Sequence, residues 1–374
     1  MPAAPYAPTS TDSVLNDKML GPVMSKILEE CQAKKLNRRS KVTFSMPKVE
    51  LHAHLSGSLS MEIVHDLMNR KFDKLNKEAA LSFLKHDKDA DMESIFAKFP
   101  FVHQLLQTPE DVKLAMKSVI SDFWAENCVY LELRTTPKET ENMNYEQYIR
   151  GCLEAIETTQ YETMEVFLII SFDRRMSVDT AKKIMEAVIR LRSETNLIVG
   201  VDLCGNPSVN GRHLLEIFET ARSHGLGVTI HLAEVESNLE EVEEFLSYRP
   251  DRIGHGSLLH LNEKHIQMIK RAKIHLEICP TSNITSSTFK SHDESHYGFW
   301  KNHDVPVSFN TDDKGIFPNC SLTDEYLVMA NEFNLSTEDL IKINRDALTA
   351  SFAHKFSVVE LTDTWRRIEN NDMI

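Results

Sequence analysis

Met46-Pro47-Lys48-Val49-Glu50-Leu51-His52-Ala53-His54-Leu55-Ser56-Gly57-Ser58 is the stretch whose reading decides the fold. Successive side chains of a strand point to opposite faces. A strand from Lys48 to His54 therefore sets Glu50, His52 and His54 on one face and Val49, Leu51 and Ala53 on the other. Two imidazoles then stand side by side. Neutral imidazole nitrogen is a good zinc ligand, and a catalytic zinc takes about three protein ligands plus water, so the rest must come from elsewhere in the chain. Taken alone, H-x-H is also met as a solvated or hydrogen-bonded pair.

Downstream, apolar runs of strand length recur at Val129 to Arg134, Val166 to Phe172, Ile198 to Leu203, Val228 to Leu232, Arg252 to His255, His275 to Ile278 and Val307 to Asn310, eight in all with the first. Segments of helical periodicity lie between them: Thr108 to Glu126, Tyr145 to Thr159, Val178 to Ser193, Gly211 to His224, Leu239 to Leu246 and Asn262 to Ala272. Strands that alternate with helices pair in parallel, and strands apolar on both faces belong to a sheet covered by helices. An α/β fold of the eight-stranded (β/α)8 TIM-barrel type follows, with extra helices. Met61 to Leu106 is a helical insertion after the first strand, and its aromatic tail, Phe96 to His103, is read as core rather than as a lid. Ser336, three residues before Asp339, marks a helix start, with two helices expected on the outside of the barrel.

At 374 residues and 41% hydrophobic, the chain can bury a large core. Its net charge of −14 argues against nucleic acid or an anionic membrane as partner, so an anionic substrate needs a local cluster of donors. Six cysteines without a C-x-x-C pair fit buried thiols in a reducing compartment. No apolar run approaches the roughly 18 residues of a membrane span, and the N-terminus lacks a secretory pattern. A cytoplasmic protein acting as a single chain is expected. Residues 1–13 read as a disordered tail. Residues 14–45 read as a helical extension in which Leu20, Val23, Met24, Ile27, Leu28 and Cys31 share a face, followed by a basic connector at 34–39. Residues 46–374 read as one domain.

The active site of such a barrel lies at the C-terminal ends of its strands. There stand His52 and His54, His231-Leu232-Ala233-Glu234, Gly254-His255-Gly256 and Thr311-Asp312-Asp313. Each alone could be a surface histidine, a helix-start carboxylate, a turn residue or a capping pair. Together they are types that bind zinc or move protons, all at one end of the barrel. His52, His54, His231 and Asp312 make an N/N/N/O set suited to one zinc. Binuclear hydrolases on this fold commonly need a bridging lysine at the end of the fourth strand, where this chain has Val201-Asp202-Leu203-Cys204-Gly205-Asn206. One metal is therefore expected. Zinc acidifies a water that can attack an electron-poor carbon. Glu234 is placed to give a proton to the group that gains charge, and His255 and Asp313 to handle the water.

The motifs P-K-V-E-L-H-A-H-L-x-G-S, H-L-A-E, R-I-G-H-G and T-D-D-K-G together resemble the adenosine deaminase superfamily, and within it the adenosine deaminase-like branch that acts on N6-methyl-AMP. The resemblance runs from about Ser45 to the C-terminus. It implies a metal-dependent hydrolase with zinc on His52, His54, His231 and Asp312. It further implies Glu234 as proton donor to purine N1, His255 at the attacking water, Asp313 at N7 and the water, and the Gly205 backbone at N3. Attack at C6 would expel ammonia or methylamine, turning N6-methyl-AMP into IMP. Ser56 stands where plain adenosine deaminases carry an aspartate that holds the ribose 5′-hydroxyl. A neutral side chain there does not repel a 5′-phosphate, although the N6-methyl-AMP branch usually carries asparagine. By similar family positions, His54, Ser56, His103, Thr135, Thr136, Pro137, Lys138, Asp173 and Gly205 line the substrate, with Lys138 and the threonines at the phosphate. Two other readings are an adenosine or deoxyadenosine deaminase and a silent purine-binding or signalling barrel. The second would be expected to lack Glu234 or a metal ligand, and this chain has them all.

Overall fold

The computed structural model describes residues 43–71, 97–317 and 320–353. The expected tail, the extension up to residue 42 with its helix and basic connector, the middle of the insertion and anything after residue 353 lie outside the described residues. Strands β1 (Lys48–His54), β2 (Cys128–Thr135), β3 (Glu165–Asp173), β4 (Ile198–Cys204), β5 (Gly227–Leu232), β6 (Arg252–His255), β7 (His275–Ile278) and β8 (Val307–Phe309) form one sheet in chain order, every adjacent pair parallel. The seam closes where Ala53 bridges Asp312: His54 N donates to Asp312 O and Asp312 N to His52 O. The result is a (β/α)8 TIM barrel.

Helices cover the outside: α1 (Met61–Lys71), α2 (Lys98–Leu105), α3 (Pro109–Ala125), α4 (Tyr145–Thr158), α5 (Val178–Arg192), α6 (Leu215–Ser223), α7 (Val242–Tyr248), α8 (Glu263–Ala272), α9 (Pro280–Thr285), α10 (Tyr297–Trp300), α11 (Leu322–Glu332) and α12 (Thr337–Ala350). Their starts follow local chemistry. Ser336 accepts from Asp339 N while Asp339 reaches back to Ser336 N, and the same reciprocal cap opens α3, α4 and α11. In α2, Val102 and Leu105 are buried and Phe99 and Phe101 pack against the core, so the described part of the aromatic tail is core. No helix among the described residues is long and apolar enough to cross a membrane.

Departures from the sequence reading have local causes. The segments expected to start at Gly211 and Leu239 enter through 3-10 turns, Arg212–Leu214 and Glu236–Glu241, before α6 and α7 begin. Strand β8 stops before Asn310, whose side chain takes over the pairing: Oδ1 accepts from Leu51 N, and Nδ2 donates to Ser308 O and Ile278 O. Helices α9 and α10, between β7 and β8, are too short to leave a periodic signal. At the opposite end of the barrel, Phe352 packs over Gly200 and Gly227, where a Cβ would lie 2.4 and 2.2 Å from its ring.

Candidate active site

Strand ends bring the candidate ligands together. One donor atom each from His52, His54, His231 and Asp312 lies within 4.8 Å of the others. Nε2 of His54 and Nε2 of His231 are 3.1 Å apart, and Nε2 of both His52 and His54 is 3.4 Å from Asp312 Oδ1. Carboxylates behind the rings fix their direction. His52 Nδ1 donates to Glu277 Oε2 at 2.7 Å and His231 Nδ1 to Asp202 Oδ1 at 2.9 Å, which turns each Nε2 inward. Arg134 ties these carboxylates together, with NH1 on Asp202 at 3.1 Å and NH2 on Glu277 at 2.8 Å. His52 Nε2 is buried with no hydrogen-bond partner among the described residues. An orphaned imidazole nitrogen aimed at two further imidazoles and a carboxylate fits a zinc-type cation.

The electrostatics differ among the four: burial opposes a charged His52, yet the carboxylates of Asp312 and Glu277 raise it to about 9, a proton that a bound cation would displace. Burial holds the His54 imidazole well below its ordinary range and so favours the neutral ring. Burial opposes ionisation of Asp312, yet the imidazoles of His52, His255 and His54 overcome it and keep its pKa well below that of a free carboxyl. Asp313 behaves oppositely: burial, and then the charge of Asp312, push its pKa well up, which favours the protonated carboxyl. Its Oδ1 has no partner among the described residues, and the close approach of Gly57 makes its space, since a Cβ there would stand 1.5 Å from that oxygen.

Glu234 and His255 face each other beside the ligand cluster. His255 Nε2 lies 3.6 Å from Glu234 Oε2 and 3.8 Å from Asp312 Oδ2, while its Nδ1 bonds Asn283 Oδ1 at 3.0 Å. Burial lowers the His255 pKa, which leaves a neutral ring able to accept a proton. The chain turns sharply to present these groups. Ala233, His255 and Asp312 all have φ between 56 and 58°, and Gly205 has φ 98°. Non-glycine residues are uncommon in this region and cluster at functional sites.

The residues expected around the rest of the substrate divide. Asp173 and Gly205 are neighbours: a Cβ on Gly205 would meet the Asp173 carboxylate at 2.7 Å. Asp173 is paired with Arg175, whose backbone N and Nε both reach Oδ1 at 2.8 Å. Lys138 Nζ donates to the His103 carbonyl, and Lys138, Asp173 and Arg175 all act on the His103 ring. Burial lowers His103 to about 4 and Lys138 to about 8. Thr136 is half-buried beside Cys204. Pro137 is buried and Ser56 half-buried, two residues past His54. The Thr135 hydroxyl is instead taken up by Tyr148 Oη on α4 at 2.8 Å.

Several members went unread in the sequence. Asp202 and Glu277 interrupt apolar strands, and a charge inside an apolar run is costly unless paired; that was the available sign. Ser282 donates to Asp312 Oδ2 at 2.7 Å, and it comes with Asn283 from α9. Only Pro280, at the first helical position, hinted at that helix. Arg174 and Arg175 left no periodic trace.

Fold and site together define a TIM barrel whose C-terminal strand ends carry a cluster able to hold a metal ion. A family model described as adenosine deaminase matches residues 47–366, and the chain belongs to the adenosine deaminase family, which is metal-dependent. It is 47% identical to an adenosine deaminase-like protein of Caenorhabditis elegans, over 87% of this chain and 84% of that one. It is 36% identical to N6-methyl-AMP deaminase-L of Xenopus laevis, over 86% and 93%. Arabidopsis ADAL complexed with IMP superimposes with a TM-score of 0.80 at 28% identity, covering 88% of this chain and 98% of that one.

Proposed function

We propose that this chain hydrolyses N6-methyl-AMP to IMP and methylamine at the mouth of the barrel. The observation that carries the reading is Glu234 facing His255 at 3.6 Å beside an N/N/N/O cluster. The substrate is supported by relatives named for N6-methyl-AMP and by the Arabidopsis protein complexed with IMP. His52, His54, His231 and Asp312 would hold one zinc per chain, which would acidify a water to serve as nucleophile.

The chain's own groups do the rest. Glu234 protonates purine N1, which draws electrons from C6. His255, its Nδ1 held by Asn283, takes a proton from the attacking water through Nε2. Protonated Asp313 donates a hydrogen bond to N7. As the O–C6 bond forms and the C6–N6 bond breaks, the amine leaves with the proton that His255 received. The remaining hydroxyl proton restores Glu234 when the 6-oxo group forms. Gly205 offers its backbone at N3. Ser56, a neutral side chain, stands toward the 5′ end, and Lys138 and Thr136 hold the phosphate. Residues 46–374 act as one domain and a single chain in the cytosol, on a small nucleotide rather than nucleic acid or membrane, in keeping with a net charge of −14.

The test supplies N6-methyl-AMP, AMP and adenosine side by side and separates the products. The reading expects kcat/KM for N6-methyl-AMP at least tenfold above that for adenosine. A preference for adenosine would overturn the phosphate assignment, and no turnover of any of the three would overturn the activity.

A further inference from the structure

Arg174 leaves β3 and is buried, yet its guanidinium addresses three separate segments. NH1 donates to Glu241 Oε1 at 2.5 Å and to the Val209 carbonyl at 3.1 Å, and NH2 donates to the carbonyl of His231 at 2.5 Å. Glu241, also buried, accepts from Gly211 N through its other oxygen at 2.8 Å. Asn238, from the same connection as Glu241, donates through Nδ2 to Pro207 O at 3.0 Å and Val209 O at 3.2 Å. The connection after β4, which begins at Gly205, is thus laced to the connection after β5, which carries Glu234.

That second connection needs support from outside itself. Ala233, which leads into it, has φ 56°, in the sparsely populated left-handed region. Backbone away from its preferred conformations persists only where the surroundings hold it. A buried ion pair adds little net stability over an apolar pair of the same volume. A planar guanidinium does address several acceptors in fixed directions, which an ammonium cannot do.

We propose that the Arg174–Glu241 pair is a positioning device that sets Glu234 against the purine edge held by Gly205. It rests on the assignment of Glu234 as proton donor made above. Both residues are buried and act through the two connections they join.

The test is a double-mutant cycle with N6-methyl-AMP as substrate and metal content checked for every variant. Arg174→Lys keeps the charge that balances Glu241 but loses the fork. In the wild-type background it should lower kcat tenfold or more, with KM changed less than threefold and the metal retained. In a Glu234→Gln background the same substitution should cost less than threefold, because the group being positioned no longer donates a proton. An equal loss in both backgrounds, or an unchanged kcat in the first, would overturn the proposal. Should Arg174→Lys fail to fold, isosteric Glu241→Gln is put through the same cycle, and the same two results decide. Should Glu234→Gln by itself turn over normally, the proton-donor assignment fails, an outcome distinct from failure of the clamp and equally fatal to it.

Discussion

The mouth and the floor of the barrel are both buried and both charged, yet their charges are settled differently. At the floor, Arg252 Nε donates to Glu277 Oε1 at 2.6 Å, NH2 pairs with Glu132 Oε2 at 2.6 Å and NH1 reaches the Ala350 carbonyl. Glu132 Oε1 accepts from Tyr130 Oη and Phe352 N, and the guanidinium stacks 3.7 Å from the Phe352 ring centroid. Arg252 thus has a carboxylate on either side. At the mouth, three imidazoles crowd one carboxylate, with His52 Nε2 and His54 Nε2 each 3.4 Å from Asp312 Oδ1 and His54 Nε2 3.1 Å from His231 Nε2, and Ala233, His255 and Asp312 hold strained backbone. Buried charges that are paired close the barrel. Imidazoles and a carboxylate gathered within 4.8 Å of one another mark where a cation completes the structure.

Substitutions at the two ends should therefore separate activity from stability. The largest effect is expected from His231→Ala. With the metal group broken, turnover of N6-methyl-AMP should fall by more than about 10⁴-fold, because nothing else at the mouth acidifies water; initial rates and metal analysis measure both losses. Glu234→Gln should keep the metal and lose roughly a hundredfold to ten-thousandfold in kcat, the range of general acid catalysis. A variant with wild-type kcat would remove Glu234 from the mechanism.

Ser56→Asp sharpens the assignment of the 5′ end. Two unit charges ~4 Å apart interact by ~1 kcal/mol in water and ~4 kcal/mol at an effective dielectric of 20. A cost of about 2 kcal/mol lowers kcat/KM for N6-methyl-AMP roughly thirtyfold, while a 5′-hydroxyl nucleoside is spared. An unchanged ratio of the two kcat/KM values would place Ser56 away from the phosphate. A smaller effect comes from Lys138, which burial lowers to about 8. It is charged below that pH and neutral above it. KM for the monophosphate should therefore rise by up to about tenfold between pH 7 and 9, with KM for a nucleoside flat; parallel profiles would remove Lys138 from the phosphate. The smallest effect on activity belongs to the floor. Gly227→Ala drives a Cβ to 2.2 Å from Phe352 and should cost about 1–3 kcal/mol in urea unfolding with kcat unchanged. A lost kcat there would mean that the two ends are not separable.

Much of this was legible from residue order. The eight strands and the main covering helices follow from apolar runs and helical periodicity, and the four metal-ligand candidates from residue types at strand ends. What could not be read is what depends on long-range geometry. Asp202 and Glu277 are charges inside apolar runs, and only the paired strands place them behind His231 and His52. Thr135 is expected at the phosphate by its family position, but strand alternation turns its hydroxyl outward to Tyr148. Asn283 and Ser282 ride on a six-residue helix, too short for a periodic pattern.

The central claim is metal-assisted loss of methylamine from N6-methyl-AMP at the mouth, and its most direct test follows that product through metal removal and return. Purified protein should release one methylamine per IMP formed, fall silent after exhaustive chelation and recover fully with one zinc per chain. Release that survives chelation, recovery that requires two metals per chain, or IMP formed without methylamine would contradict it.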